Sequence, residues 1–395
     1  MRMSKDSQYY KDKSRDQKLK LRELLSDLPQ PAVDFIYDHE LTSQPGTLVA
    51  YAYDLLVFFR FRREQNPYFA KIDIVKVTAE DLSNLSSEDI VEYQRYLELN
   101  LNGEKHENGK KAIARKMSPL RGMFNYMLEH EYIEKNPMLL VRLPRLKKDK
   151  NIVRMDQVEV QSILNAVEYG NRQMSKRQLS YCAKTRQRDI AILTLMLNTG
   201  IRVSECAGLD ITDIDYNVNS LTIVRKGGSQ DILYFGDEVR TALDEYVKGE
   251  RSAMIPESGH EKALFLSLQN KRISIDAIEM LVKKYARMVI PNKHITPHKL
   301  RSTYGTALYR ETGDIRLVAD VLGHENVNTT IDFYAAIDDE HKRKAAGAVD
   351  YYRKEDNDND CLKEDIDNDN LKKDSEIKKP DVKNDDSCNI RTTFL

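Results

Sequence analysis

Residues 296–308, TPHKLRSTYGTAL, carry a histidine and an arginine one helical turn apart at the start of a predicted helix. Side chains three positions apart lie on one helix face, so His298 and Arg301 can reach the same ligand. Pro297 suits the first turn of a helix, whose N–H groups point toward an anion. The pair therefore predicts a phosphate site. Taken alone, it also fits a buried structural histidine beside a surface arginine.

A metal site is the alternative for this segment, because His294 lies four residues before His298. Proline is tolerated only in the first turn of a helix, so a helix that begins at Pro297 leaves His294 outside it. No cysteine or carboxylate nearby completes a ligand set. The four cysteines form no CxxC pair and are typical of free thiols in a reducing compartment. We expect no metal and no cofactor.

Five further charged, imidazole or phenol side chains accompany this pair in a fixed order along the sequence. Arg202 and Glu205 lie in LNTGIRVSE, where Glu205 could form an ordinary ion pair one turn away. Lys226 lies at the edge of a Gly-rich turn between two predicted strands. His324 and Tyr334 lie in LGHENVNTTIDFY.

This ordered set resembles the tyrosine recombinase family, the site-specific integrases, over roughly residues 155–350. The resemblance implies that Tyr334 attacks DNA to form a 3′-phosphotyrosyl link and that Lys226 protonates the departing 5′ oxygen. It also implies that His324 contacts the phosphate or packs against Tyr334, and that Glu205 orients the site. Ser302 stands where many members have histidine, a departure that we do not expect to remove activity.

The chemistry explains why these residue types occur together. Attack by a phenol increases the negative charge on the phosphate oxygens, and the guanidiniums of Arg202 and Arg301 can neutralise it without a metal. A tyrosine with an ordinary pKa of about 10 is a poor nucleophile at neutral pH. Tyr334 therefore needs help to lose its proton, and His298 is well placed to accept it.

The resemblance implies a homotetramer on two double-stranded DNA sites with inverted half-sites, with an accessory DNA-bending protein as a further partner. The expected function is integration or excision of a mobile element. Resolution of chromosome dimers and strand relaxation of the type IB topoisomerase kind are the alternatives. A regulator without catalysis is disfavoured by the full set of catalytic residue types. The charged N-terminus and acidic tail favour a mobile element, because the core reaction needs neither.

The sequence patterns around these residues predict a mostly α-helical fold with one small antiparallel sheet. The stretch SLTIVRKGGSQDILYF is expected to form the sheet. We assign residues 155–350 to a mixed α/β catalytic domain, which opens with the capping pair Asp156 and Glu159. Its predicted helices include RQRDIAILTLMLNTG, stopped by Gly200, and residues 237–249, 275–289, 297–310 and 314–322.

Residues 23–140 predict a helical core-binding domain that clamps DNA, with a purely structural module as the alternative. Thr47 can cap one of its helices, and Ser86 or Ser87 can cap the next. Ser118 and Pro119 fit a cap and a first turn, so residues 109–133 are expected to form two helices or one kinked helix.

The net charge of −1 conceals an uneven distribution. Residues 351–395 hold 13 acidic against 9 basic side chains and predict a disordered tail, so the rest of the chain is positive. Basic side chains cluster in FFRFRR, in KKAIARK and in the linker, residues 141–154, as is typical of phosphate contacts. The predicted DNA-binding residues are Arg60, Lys110, Lys111, Arg115, Lys116, Arg121, Arg142, Arg145 and Lys147.

Residues 1–22 form a charged extension without the apolar centre of a signal peptide. With 32% charged residues and no apolar run of membrane-spanning length, the sequence predicts a cytoplasmic, nucleoid-associated protein with no membrane contact. The tail motif DNDND suggests calcium, but Cys361 stands where an EF-hand loop needs glycine.

Overall fold

The computed structural model describes residues 8–99, 108–144, 154–170, 176–225 and 227–324. These residues are mostly helical with one three-stranded antiparallel sheet, which confirms the predicted fold class. Their buried apolar side chains form two large cores, one from residues 21–141 and one from residues 155–300. The predicted tail and the predicted site residues Arg145, Lys147, Lys226 and Tyr334 lie outside the described residues.

The first core is built by helices that precede residue 130. They are α1 (Gln8–Leu25), α2 (Gln30–Asp38), α3 (Pro45–Gln65), α4 (Ala79–Ser83), α5 (Ser87–Leu99) and α6 (Lys110–Glu129). α3 lies at the centre, where α1 and α6 pack against it. Its side chains Leu55, Phe58 and Phe59 are almost completely buried.

In this region the predicted cap at Thr47 is wrong, and the choice between one and two helices around Pro119 is decided. α3 begins at Pro45, so Thr47 lies inside the helix and does not cap it. α6 is one helix that continues through Ser118 and Pro119, so the alternative of two helices is excluded. Ser86 does act as a cap, since its hydroxyl accepts the N–H of Asp89 at 3.3 Å.

The second core is built around α9 (Arg186–Thr199), a helix that is buried on nearly all sides and packs against its neighbours α7, α11 and α13. The other elements are α7 (Gln157–Tyr169), α8 (Lys176–Ala183), α10 (Val203–Ala207), α11 (Asp237–Tyr246), α12 (Ile275–Val289), α13 (Pro297–Thr312), α14 (Ile315–Leu322), β1 (Ile214–Asp215), β2 (Ser220–Val224) and β3 (Gln230–Tyr234).

The strands lie in the order β1-β2-β3, and all neighbours are antiparallel. Leu221 pairs with Leu233 across β2 and β3, so the apolar side chains of the hairpin face the second core together. The helix predicted over residues 237–249 ends at Tyr246 and passes into a π turn, Val247–Arg251.

Local sequence signals set several helix ends as predicted. The Asp156 carboxylate accepts the N–H of Glu159 at 2.8 Å, and the Glu159 carboxylate accepts the N–H of Asp156 at 2.9 Å. Gly200 ends α9 as predicted, in the left-handed conformation that glycine adopts at little cost. Gly323, which the sequence analysis did not single out, ends α14 in the same way.

α1 contacts both cores. Leu24 and Leu25 are buried in the first core, so the boundary predicted at residue 22 falls inside this helix. At its other end, the Tyr10 hydroxyl packs on the backbone of Gly208, and the Arg272 guanidinium lies 4.7 Å from the centre of the Tyr9 ring. Among the described helices, none is long and apolar enough to cross a membrane.

Candidate active site

The two predicted catalytic arginines bind consecutive main-chain carbonyls at the C-terminal end of α14. Nη2 of Arg301 donates to the carbonyl of Leu322, and Nη2 of Arg202 donates to the carbonyl of Gly323 at 2.7 Å. The last carbonyls of a helix have no partner within the helix and carry partial negative charge, so they attract cations. The two guanidiniums therefore lie side by side, although 99 positions of sequence separate them.

Arg301 is the more deeply placed of the two, with 5% of its surface exposed. It projects from α13, and its Nη1 donates to the carbonyl of Gly200 at 2.6 Å. One side chain thus joins the ends of α9 and α14. Gly200 is required at this junction, because a Cβ there would lie 2.6 Å from the ring of Tyr304 and 2.9 Å from Leu322.

Arg202 occupies the N-cap position of α10, and 30% of its side chain is exposed. Its Nη1 donates to Oε1 of Glu205 at 2.7 Å, and its main-chain N–H donates to Oε2 of the same carboxylate at 2.9 Å. Glu205 is buried, so it forms the expected ion pair one turn away and also fixes the direction of Arg202.

The two predicted histidines lie around these cations. His298 is in the first turn of α13, and partial desolvation followed by the charge of Arg301 lowers its pKa from the ordinary 6.5. Desolvation and the charges of Arg301 and Arg202 lower the pKa of His324 to about 4. Both imidazoles are therefore neutral at pH 7, the form that can accept a proton.

Ser302, which stands where many family members have histidine, forms its hydrogen bond within its own helix, α13. Its hydroxyl donates to the carbonyl of His298, four residues earlier, at 3.0 Å. Such a bond within the helix satisfies the hydroxyl without another element. His294 precedes the helix, as predicted, and the described residues contain no group of three or more His, Cys, Asp or Glu side chains that could hold a metal.

A third arginine, Arg225, joins this cluster and is missed by the sequence analysis. It follows β2 directly, is 9% exposed, and donates through Nη2 to the carbonyl of Val321 at 3.0 Å. Its Nη1 lies 3.3 Å from Glu205. The sequence feature that could have identified Arg225 is its position at the end of an apolar strand, immediately before the expected general acid Lys226.

The predicted DNA-binding residues of the first core differ in their surroundings. Arg60, Lys110, Lys111 and Arg142 are exposed, and Arg60 lines a cleft together with the carboxylate-bearing residues Asp27 and Asp73. Arg121 is partly buried and donates weakly to the carbonyl of Val141, at 3.4 Å.

Arg115 and Lys116 share one buried carboxylate. Arg115 donates to Asp54 at 2.6 Å, and Lys116 lies 3.5 Å from it. Arg62, inside the basic stretch FFRFRR, is also buried and pairs with Asp89 at 2.7 Å. Part of the basic sequence therefore balances buried or partly buried acids, which the charge pattern alone does not reveal.

Comparison with known proteins identifies the class. Residues 153–341 match the model of the Phage integrase family. The chain is 34% identical over 312 residues to tyrosine recombinase XerC of Caldanaerobacter subterraneus subsp. tengcongensis, an alignment that covers 76% of this chain and 80% of the relative. The protein is a site-specific DNA recombinase.

More specifically, the chain belongs to the tyrosine recombinase family, as the ordered set of residues predicts. Two solved structures share its fold. XerH site-specific recombinase bound to palindromic difH substrate has a TM-score of 0.56 with 18% identity and covers 84% of this chain and 94% of that one. The Tn1549 transposon integrase in complex with circular intermediate DNA has a TM-score of 0.53 with 18% identity and covers 80% and 98%.

Proposed function

We propose that the hydroxyl of Tyr334 attacks a DNA phosphodiester, forming a bond to phosphorus while the bond to the 5′ oxygen breaks. The product is a 3′-phosphotyrosyl link and a free 5′ hydroxyl. Attack by that hydroxyl from a partner strand reverses the chemistry and releases Tyr334. Since the number of ester bonds is conserved, the exchange needs no external energy source.

In this mechanism Arg202 and Arg301 neutralise the charge that develops on the non-bridging oxygens. Their adjacent positions at the end of α14 support this role, because two cations aimed at one place stabilise a doubly charged phosphorane far more than a singly charged ester. Arg202 is the more exposed of the two and is therefore the first to meet DNA.

His298 accepts the proton of Tyr334, and Lys226 donates a proton to the departing 5′ oxygen. The lowered pKa of His298 supports the first assignment, since a base must be neutral before the reaction. His324 contacts the phosphate or packs against Tyr334, and Glu205 orients Arg202 through their 2.7 Å ion pair.

The observation that carries the proposal is the meeting of Arg202, His298, Arg301 and His324 around the end of α14. The test uses a DNA site with a nick just beyond the scissile phosphate, so that the cleaved end diffuses away and the adduct persists. The wild-type protein should form an adduct that resists denaturation. Tyr334→Phe should form none, whereas Tyr234→Phe, which changes an exposed tyrosine on β3, should react like the wild type. An adduct with Tyr334→Phe would overturn the assignment.

We further propose that four protomers assemble on two duplexes with inverted half-sites, with the region of the first core contacting the DNA through Arg60, Lys110, Lys111, Arg115, Lys116, Arg121, Arg142, Arg145 and Lys147. Sedimentation of the protein with one and two site equivalents tests the assembly. Exchange with purified components alone would show that an accessory DNA-bending protein is dispensable.

For the biological role, resolution of dimeric chromosomes replaces integration of a mobile element as our first choice. The charged extension that favoured a mobile element is largely α1, which packs into the first core. In addition, the 34% identical relative is a Xer recombinase, XerC, whereas the transposon integrase shares only the fold. Recombination between two identical sites on one plasmid supports resolution, and exchange restricted to two unlike sites supports integration. Relaxation without any exchange would support the topoisomerase alternative.

A further inference from the structure

We propose that Arg225 is a positioning residue, which holds the β2–β3 hairpin against the end of α14 so that Lys226 meets the leaving oxygen at the phosphate bound by Arg202 and Arg301. This inference rests on the proposed role of Lys226 as the general acid. Arg225 belongs neither to the predicted set of catalytic residues nor to the roles that the family resemblance implies.

The first observation is that one guanidinium joins three elements. Nε of Arg225 donates to Asp231 on β3 at 3.0 Å, Nη1 approaches Glu205 on α10 at 3.3 Å, and Nη2 donates to the carbonyl of Val321 on α14 at 3.0 Å. The planar fork of arginine can serve three acceptors in fixed directions, which an ammonium cannot do. The hairpin, α10 and α14 are therefore fixed relative to one another by one side chain.

The second observation is the close packing of Arg225 on the turn that follows α14. A Cβ on Gly323 would lie 2.7 Å from Nε and 2.8 Å from Cζ of Arg225, and this glycine is in the left-handed conformation. The turn therefore leaves room for the guanidinium. The charge of Arg225 also contributes to the lowered pKa of His324, the residue after Gly323.

The third observation is the backbone geometry of the hairpin. The N–H of Arg225 donates to the carbonyl of Ser229 at 2.8 Å, and its carbonyl accepts the N–H of Gly228 at 3.0 Å. Lys226 follows Arg225 directly in the sequence, so we infer that fixing Arg225 restrains the position of its neighbour. Without the side-chain contacts of Arg225, a hairpin with two glycines in its turn has more conformations to lose on binding DNA.

The two variants that test the idea are Arg225→Met, which keeps length without charge, and Arg225→Lys, which keeps charge without the fork. A sulfur in place of the bridging 5′ oxygen gives a leaving group that departs as a thiolate and needs no proton. A defect in proton donation should therefore disappear on this DNA, while a defect in phosphate binding or folding should persist.

On ordinary DNA, Arg225→Met should cleave roughly 10²-fold more slowly than the wild type in single turnover, within the range that general acids contribute. Arg225→Lys should be intermediate. On the sulfur substrate both variants should come within about tenfold of the wild type, like Lys226→Ala. The affinity for uncleaved DNA should change little, because the defect lies in the chemical step.

Arg272→Met is the matched control, because Arg272 is a similarly buried arginine that bonds Asp210 and the carbonyls of Ala207 and Leu209 away from the hairpin. Any slowing that it causes should be equal on the two substrates. Rescue of Lys226→Ala but not of Arg225→Met would overturn the role of Arg225. Absence of rescue for Lys226→Ala itself would instead overturn the proposed general acid.

Discussion

The guanidinium of Arg202 donates a hydrogen bond of 2.7 Å to the carbonyl of Gly323, which lies 121 residues later in the chain. The same guanidinium is held on its other side by Glu205, also at 2.7 Å. The cation that we expect to meet the scissile phosphate is thus tied to the turn that leads toward Tyr334. We therefore expect phosphate binding at Arg202 to depend on the placement of that turn.

Replacing Arg202 by lysine should separate binding from chemistry. Lysine keeps the charge but cannot bind Glu205 and Gly323 together, so cleavage of nicked DNA should slow about 10²-fold. Affinity, measured by gel shift, should fall by less than about threefold, because most affinity comes from contacts along the DNA backbone. Arg240→Lys is the control, since Arg240 is an exposed arginine that also donates to a main-chain carbonyl. Equal effects of the two variants would argue against a special role for Arg202.

Alanine at position 323 should be more harmful than alanine at another left-handed glycine. Gly313 has a φ of +66° with nothing within 4 Å of its absent Cβ, so Gly313→Ala should lower the free energy of unfolding by about 1 kcal/mol. Gly323→Ala adds the contact with Arg225 and should lower it by about 2 kcal/mol. Urea unfolding measures both. The excess should vanish when Arg225 is replaced by alanine, and an excess that remains would contradict the contact.

Acid should destabilise the protein through His324. Its pKa of about 4 in the folded protein lies below the ordinary 6.5, so protonation favours the unfolded chain. The stabilisation is complete above pH 6.5 and is lost as the pH falls toward 4. His324→Gln should flatten the pH dependence of the unfolding free energy in this window. A wild-type slope that survives His324→Gln would locate the titration elsewhere.

Two basic residues of α6 should respond differently to alanine. Arg115 balances the buried Asp54, so Arg115→Ala should reduce stability by about 1–2 kcal/mol, the loss being limited because Lys116 remains near the carboxylate. Lys110 is exposed, so Lys110→Ala should leave stability unchanged and reduce the slope of log affinity against log salt by about one. Urea unfolding and DNA titration at several salt concentrations measure these effects. An unchanged slope for Lys110→Ala would remove Lys110 from the interface.

The contact between α1 and the second core should appear as coupling between Tyr10 and Gly208. A Cβ at position 208 would overlap the Tyr10 hydroxyl, so Gly208→Ala should destabilise the protein by about 1–2 kcal/mol. In a Tyr10→Ala background the same change should be nearly neutral, which gives a coupling energy of about 1 kcal/mol or more. Additive effects in the double-mutant cycle would show that the two residues are not in contact in solution.

Local signals made much of the second region predictable. Pro297, Gly200 and the pair Asp156 and Glu159 set helix ends through interactions with residues only a few positions away, and the structure agrees with each. Thr47 fails as a cap because Pro45 already starts α3, two residues earlier. Where two nearby residues could each start a helix, the sequence alone does not predict at which of them the helix begins.

The sequence by itself determined which residue types are present for phosphoryl transfer and in what order, because a helical turn brings His298 and Arg301 together without help from distant segments. Only the tertiary structure decided what those side chains and their neighbours touch. Arg225 meets Val321 across 96 residues, and Arg115 meets Asp54 across 61. Such pairs form when packed elements exclude water from a charge and leave one partner within reach, a condition that no local pattern of residues encodes.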